Sequence, residues 1–178
     1  DLPDRRPGVQ TGRSWNPPNV GWIAINVDGS VFPDALKGGA GGVARSHISF
    51  VGAWCKPREG VSDPFIAELL AFREGVIFAH LRGMSHVIMQ VDCMELVTQW
   101  SSRGNSRSIA APIFRELEAL VLNFVSFSVQ HISRELNFPA HLCAQRACAT
   151  EGTDCWLDAS PDFLVTSLRA DCNRLLLF

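Results

Sequence analysis

Three carboxylates stand where an acid is unexpected. Asp28 closes the apolar run Gly21-Trp-Ile-Ala-Ile-Asn-Val, and Asp92 closes His86-Val-Ile-Met-Gln-Val91. Glu68 lies one turn into a helical stretch, beside a stripe of small residues, Ala67, Ala71 and Gly75, spaced by four. Small residues let a helix approach a sheet closely, so an acid beside them belongs at the helix–sheet seam. Taken singly, an acid at a strand end forms a turn or caps a helix. Three carboxylates from distant segments converge only where something offsets their repulsion. A divalent cation does so, and hard oxygen ligands suit Mg2+ or Mn2+. Two such ions activate a water and stabilise a leaving oxygen in phosphodiester cleavage.

These acids need a sheet and a helix to bring them together. Residues 21–28 alternate and are rich in Ile and Val, which predicts a strand ending at Asp28. Residues 32–38 read as a loop, and 40–46 and 50–55 as two more strands of an antiparallel meander. Ser62-Asp63-Pro64 predicts the start of a helix over 64–81, with a capping residue ahead of an early proline. A buried strand over 86–91, a helix over 94–100 and a polar loop over 101–108 follow. Then come an amphipathic helix over 109–122, a half-buried strand over 124–131 and a helix over 137–149. This order predicts an α/β fold: a five-stranded mixed sheet, three antiparallel strands then two parallel, flanked by helices. The prolines at 3, 7, 17 and 18 predict a linker or tail over residues 1–20. The domain is expected over 21–150, and a C-terminal tail with one short helix over 151–178.

Five ordered motifs carry a resemblance. They are Asn26-Val-Asp28-Gly-Ser30, Gly38-Gly-Ala-Gly-Gly-Val-Ala-Arg45, Ala67-Glu68-Leu-Leu-Ala71, Gln90-Val-Asp92-Cys93, and His131-Ile-Ser-Arg134-Glu-Leu-Asn137 followed by Ala140. Together they resemble the ribonuclease H domain, and most closely its plant reverse-transcriptase-like branch derived from non-LTR retroelements. The resemblance runs from Trp15-Asn-Pro-Pro18 to about residue 150. It implies a ribonuclease H-like fold and cleavage of the RNA strand of an RNA–DNA hybrid with two Mg2+ (or Mn2+) ions. By position it implies that Asp28, Glu68 and Asp92 hold the metal. It also implies that the Gly29-Ser30 backbone contacts the RNA sugar-phosphate, where the 2′-hydroxyl marks RNA. His131 and Arg134 become the candidates for assisting turnover. Asn137, four residues ahead of the fourth acid, joins them and Gly29-Ser30 in the nucleic-acid-contacting set.

At that fourth position the chain departs from the pattern. The family has Asp, and this chain has His141. Imidazole for carboxylate removes one negative charge facing roughly +4 of metal, and imidazole suits Mg2+ poorly. Pro64, Phe65 and Ile66 stand where active members place polar residues that read the minor groove. The loop over 101–108 carries only Arg103 and Arg107 in place of a lysine-rich protrusion. Two functions follow: a metal-dependent hybrid ribonuclease with His141 at its fourth site position, or a catalytically impaired nucleic-acid-binding or interaction domain of retroelement origin.

Composition narrows the field further. The 178 residues are 47% apolar and 19% charged, which excludes wholesale disorder. With 16 Lys plus Arg against 18 Asp plus Glu, a broad basic coat is excluded, and Lys37 and Lys56 are the only lysines. No apolar run reaches the roughly 20 residues of a membrane span, and no signal-peptide pattern is visible. An intracellular protein is therefore expected, without distinguishing nucleus from cytoplasm. A first residue other than Met suggests a piece of a longer product. The six cysteines, Cys55, Cys93, Cys143, Cys148, Cys155 and Cys172, are expected to be reduced. His141, Cys143, Cys148 and Cys155 match no standard zinc spacing, and a Cys93–His131 nucleophile pair needs a proximity that spacing does not give. Residues 38–42 are glycine-rich but precede a strand, which points to close packing or a bulge and away from a phosphate loop.

Overall fold

A computed structural model of the chain describes residues 14–171. At its centre is a sheet of six strands: β1 (Ile23–Phe32), β2 (Lys37–Arg45), β3 (Phe50–Glu59), β4 (His86–Val91), β5 (Ser126–His131) and β6 (Asp154–Leu157). Across the sheet they run β5-β4-β1-β2-β3-β6. The meander β1–β2–β3 is antiparallel, β4 and β5 are parallel to β1, and β6 is antiparallel to β3. Five α-helices surround it: α1 (Pro64–Leu81), α2 (Met94–Ser101), α3 (Ala111–Val121), α4 (Phe138–Ala149) and α5 (Asp162–Asp171). The predicted α/β fold with a mixed sheet is what forms. None of these helices is long and apolar enough to cross a membrane.

Alternation along β1 divides the two faces. Ile25 and Val27 join Leu69 and Phe72 of α1 in the larger core, together with Val87, Met89 and Val91 of β4. On the opposite face, Val43, Phe50, Ala53 and Cys55 pack with Cys143 and Ala147 of α4 and Leu164 and Leu168 of α5. Two glycines set how closely the helices approach. A Cβ at Gly29 would stand 2.3 Å from the Ala67 carbonyl carbon of α1, and one at Gly41 would stand 2.3 Å from the Ala144 nitrogen of α4. The glycine-rich stretch is thus a seat for α4, with a separate register shift at Ala44/Arg45. Helix α1 begins where proline and cap dictate. Asp63 accepts from the Ile66 N–H at 2.9 Å, so Asp63 and not Ser62 is the cap.

The structure corrects four expectations. The sheet has six strands because Asp154–Leu157 pairs with Gly52–Cys55 at the edge. Four residues are too few to display a period. Strand β1 does not stop at Asp28 but continues through a hairpin to Phe32. What ends near Asp28 is the parallel pairing, whose last partners are Asn26 and Gln90. The expected C-terminal tail is packed structure as far as Asp171, since Leu164 and Leu168 are fully buried. The lead-in is also packed where it is described. Trp15 is 2% exposed and clusters with Ala24, Ile132 and Leu136. Residues 1–13 of the expected linker, and 172–178 with Cys172, lie outside the described residues.

Candidate metal centre

The three carboxylates arrive on three elements. Asp28 lies on β1 just beyond the last residue pair shared with β4, Asp92 directly follows β4, and Glu68 projects from the first turns of α1. The parallel pairing of β1 with β4 ends here, and α1 crosses over Gly29, whose missing side chain admits Glu68 to the seam. One oxygen from each acid lies within 4.8 Å of the others. Among the described residues this is the one group of His, Cys, Asp and Glu side chains so assembled. The zinc set is not assembled. Cys143 is buried against Cys55, the Cys148 thiol points to the Ser30 carbonyl and Cys155 is exposed.

The electrostatics are those of carboxylates crowded together and withdrawn from water. Burial, then the Asp28 charge and a hydrogen bond to Asp28, push the Glu68 carboxyl up to about 10. The Gly29 N–H, donating to Glu68 Oε2 at 3.4 Å, opposes this only in part. Asp92 is raised as well, first by burial and then by Asp28, against the pull of Arg134 and His141. Such a set meets the donor chemistry of a divalent cation, because metal charge would replace the proton that Glu68 otherwise retains.

His141 closes the fourth side. Its Nδ1 lies 2.8 Å from Asp28 Oδ2. A carboxylate oxygen accepts, so Nδ1 donates and, in the neutral ring, Nε2 carries the lone pair. The ring is held on the first turn of α4, four residues past Asn137. Arg134 is 88% exposed at its side chain and reaches Asp92 at 3.8 Å, a weakly paired cation on the rim. The His131 ring contacts the Asp92 carbonyl at 3.3 Å, which sets it beside the acids. Gly29 and Ser30 are partly exposed beside Asp28.

Asn137 lies beneath the surface of the site. It is fully buried, accepts from Asn26 Nδ2 at 3.3 Å and donates to the Val27 carbonyl at 2.9 Å. Its side chain ties the start of α4 to the strand that carries Asp28. Sequence reading missed the side-chain partner of this tie, Asn26, and the Arg45 guanidinium that donates to Asn26 Oδ1 at 2.9 Å. The signal for Asn26 was its place two residues before Asp28, hence on the same strand face, as the one polar side chain inside an apolar run.

Comparisons with known proteins converge on this region. A family described as reverse transcriptase-like matches residues 26–147, well over half of the chain. An Arabidopsis thaliana protein that carries the name "Putative ribonuclease H protein At1g65750" is 28% identical over 170 residues. That match takes in 93% of this chain but 27% of the plant protein, so the chain spans about a quarter of the length of its curated relative. Among solved structures, the N-terminal RNase H domain of a Mycobacterium tuberculosis protein superposes with a TM-score of 0.65 at 20% identity, over 72% of this chain and 94% of that one. RNase H1 of Halobacterium salinarum gives 0.63 at 18% identity, over 71% and 96%. LC11-RNase H1, solved in complex with an RNA/DNA hybrid, gives 0.64 at 18% identity, over 71% and 96%. At these identities the structural likenesses establish the fold.

Proposed function

We propose, for a chain that belongs to the reverse transcriptase-like family and folds as a ribonuclease H-like domain, that its acidic centre hydrolyses the RNA strand of RNA–DNA hybrids. The observation that carries this reading is the convergence of Asp28, Glu68 and Asp92 to within 4.8 Å on three separate elements. These three would hold Mg2+ or Mn2+, which supply an activated water and charge neutralisation at the scissile phosphate. The chain's own groups do the rest. Asp28 accepts from His141 and fixes the ring on the first turn of α4. Asp92 is backed by His131 on its carbonyl and faces Arg134, whose exposed guanidinium would meet a phosphate beside Asp92. The partly exposed Gly29-Ser30 backbone next to Asp28 is where a ribose 2′-hydroxyl would be read. A hybrid-binding role is also supported by the neighbouring fold solved with an RNA/DNA hybrid.

A second reading rests on His141 and on the cation supply. An imidazole fills the position of the fourth acid, and one of the two lysines, Lys56, is committed to Glu74 at 3.0 Å. A domain that binds nucleic acid or a partner without cleaving it would tolerate both features. Incubating the protein with an end-labelled hybrid in Mg2+ or Mn2+ separates the two. Cleavage that disappears in Asp28→Asn and Asp92→Asn is the expected result, with Mn2+ giving the stronger response. A silent native protein that gains activity on His141→Asp supports the second reading. Cleavage that survives Asp28→Asn removes the site assignment altogether.

A further inference from the structure

The guanidinium of Arg45 is the most buried charge in the described residues, with a side-chain exposure of 0%. A guanidinium removed from water is stable only if its donors are met. NH1 donates to Asp171 Oδ2 of α5 at 2.8 Å, and NH2 donates to Asn26 Oδ1 of β1 at 2.9 Å. Its face lies 3.5 Å from the centre of the Trp15 ring. Arg45 sits on β2 at the register shift against β3, and pairs with Ala24 across β1. A shift of this kind re-aims a strand and what it carries.

The chemistry of the head group has a directional consequence. Arginine offers donors only. It therefore turns the Asn26 amide so that Oδ1 faces the guanidinium and Nδ2 faces Asn137. Asn26 Nδ2 donates to Asn137 Oδ1 at 3.3 Å, which leaves Asn137 Nδ2 to donate to the Val27 carbonyl at 2.9 Å. That carbonyl belongs to the peptide leading into Asp28. Asn137 also stands one turn before His141, so the same amide fixes both sides of the His141–Asp28 contact. A polar relay thus runs from Asp171 through Arg45, Asn26 and Asn137 to the metal centre. Both outer anchors, Trp15 and Asp171, lie outside the 26–147 span that matches the family.

We infer that Arg45 is a positioning residue for the acidic centre, and that the lead-in around Trp15 and helix α5 serve the site by holding it. The inference deepens the proposed function and rests on it for the role of the acids. Arg45→Lys keeps the charge and loses the planar fork that serves Asn26 and Asp171 together. In the full chain, Arg45→Lys should remain folded by circular dichroism. It should bind Mn2+ roughly tenfold more weakly by calorimetry, the lower end of effects for groups behind a metal ligand. The ring-nitrogen NMR signals of His141 should shift in the metal-free protein. Arg103→Gln, which removes a peripheral ion pair to Glu118, should change neither readout.

A folded Arg45→Lys with native Mn2+ affinity and native His141 signals overturns the inference. Should Arg45→Lys not fold, Asp171→Asn is read by the same two measurements. It leaves the guanidinium in place without the charge that anchors it, and native values there overturn the inference equally. A native protein that binds no Mn2+ removes the metal reading of the acids. The His141 signals then still decide the role of Arg45.

Discussion

An imidazole in contact with Asp28 makes the centre softer and less negative than four carboxylates would be. Nδ1 donates to Asp28 Oδ2 and so competes with any cation for that oxygen. Restoring a carboxylate supplies a hard donor and removes the competitor. His141→Asp should therefore tighten Mg2+ binding by about tenfold or more, measured by calorimetry. It should also narrow the preference for Mn2+ over Mg2+. Unchanged Mg2+ affinity would mean that His141 neither competes with nor contributes to the site. The three acids and His141 were legible as residues, because their types and motif positions are local facts. The burial of Asn137 was not legible, because motif position carries no information about burial. Its amide is used up by Asn26 and Val27, which lie 110 and more residues away in the chain.

The elements that carry the acids were read well where their signals are local. Helix α1 runs over Pro64–Leu81, starting where proline and cap predict, and β4 runs over His86–Val91. Its stripe of small residues works as expected: Ala67 and Ala71 are buried, and a Cβ at Gly75 would stand 2.5 Å from the Met89 methyl. The end of β1 was misjudged because a hairpin continues past the point where the parallel neighbour stops. Strand β6 and the packing of α5 were missed because short edge elements owe their order to what they dock on. Helix α5 gives the element-scale test. Leu164 is fully buried among Val43, Phe50, Ala53 and Leu168. Leu164→Ala should lower unfolding stability by about 2–5 kcal/mol in urea titration. A loss below about 0.5 kcal/mol would return α5 to the status of a tail.

At the scale of the whole molecule, the acid cluster sets site against stability. The Glu68 carboxyl titrates at about 10 in the folded chain against an ordinary value of 4.5. Between these values the unfolded chain has released a proton that the folded chain keeps. Folding then takes up a proton, and stability falls as pH rises. The contribution of Glu68 is complete below 4.5 and is lost as pH climbs through about 10. In EDTA, Glu68→Gln should therefore raise the thermal midpoint at pH 8 by about 2–4 °C or more, equivalent to about 1 kcal/mol in a chain of this length. It should also flatten the decline toward alkaline pH. A midpoint that fails to rise at pH 8 would show that the acids do not strain the fold. Cation binding should run the opposite way, tightening as pH rises, because the metal must displace that proton. By itself the sequence determined the class of fold, the extent of α1 and β4, and the identity of the acids. These depend on periodicity, capping and motif order, which neighbouring residues encode. Only the tertiary structure decided that Trp15 and α5 pack onto the domain, that Asn137 is buried, and that a buried arginine links both to the acids. Those outcomes depend on which distant groups meet out of water, where every donor and charge must find a partner.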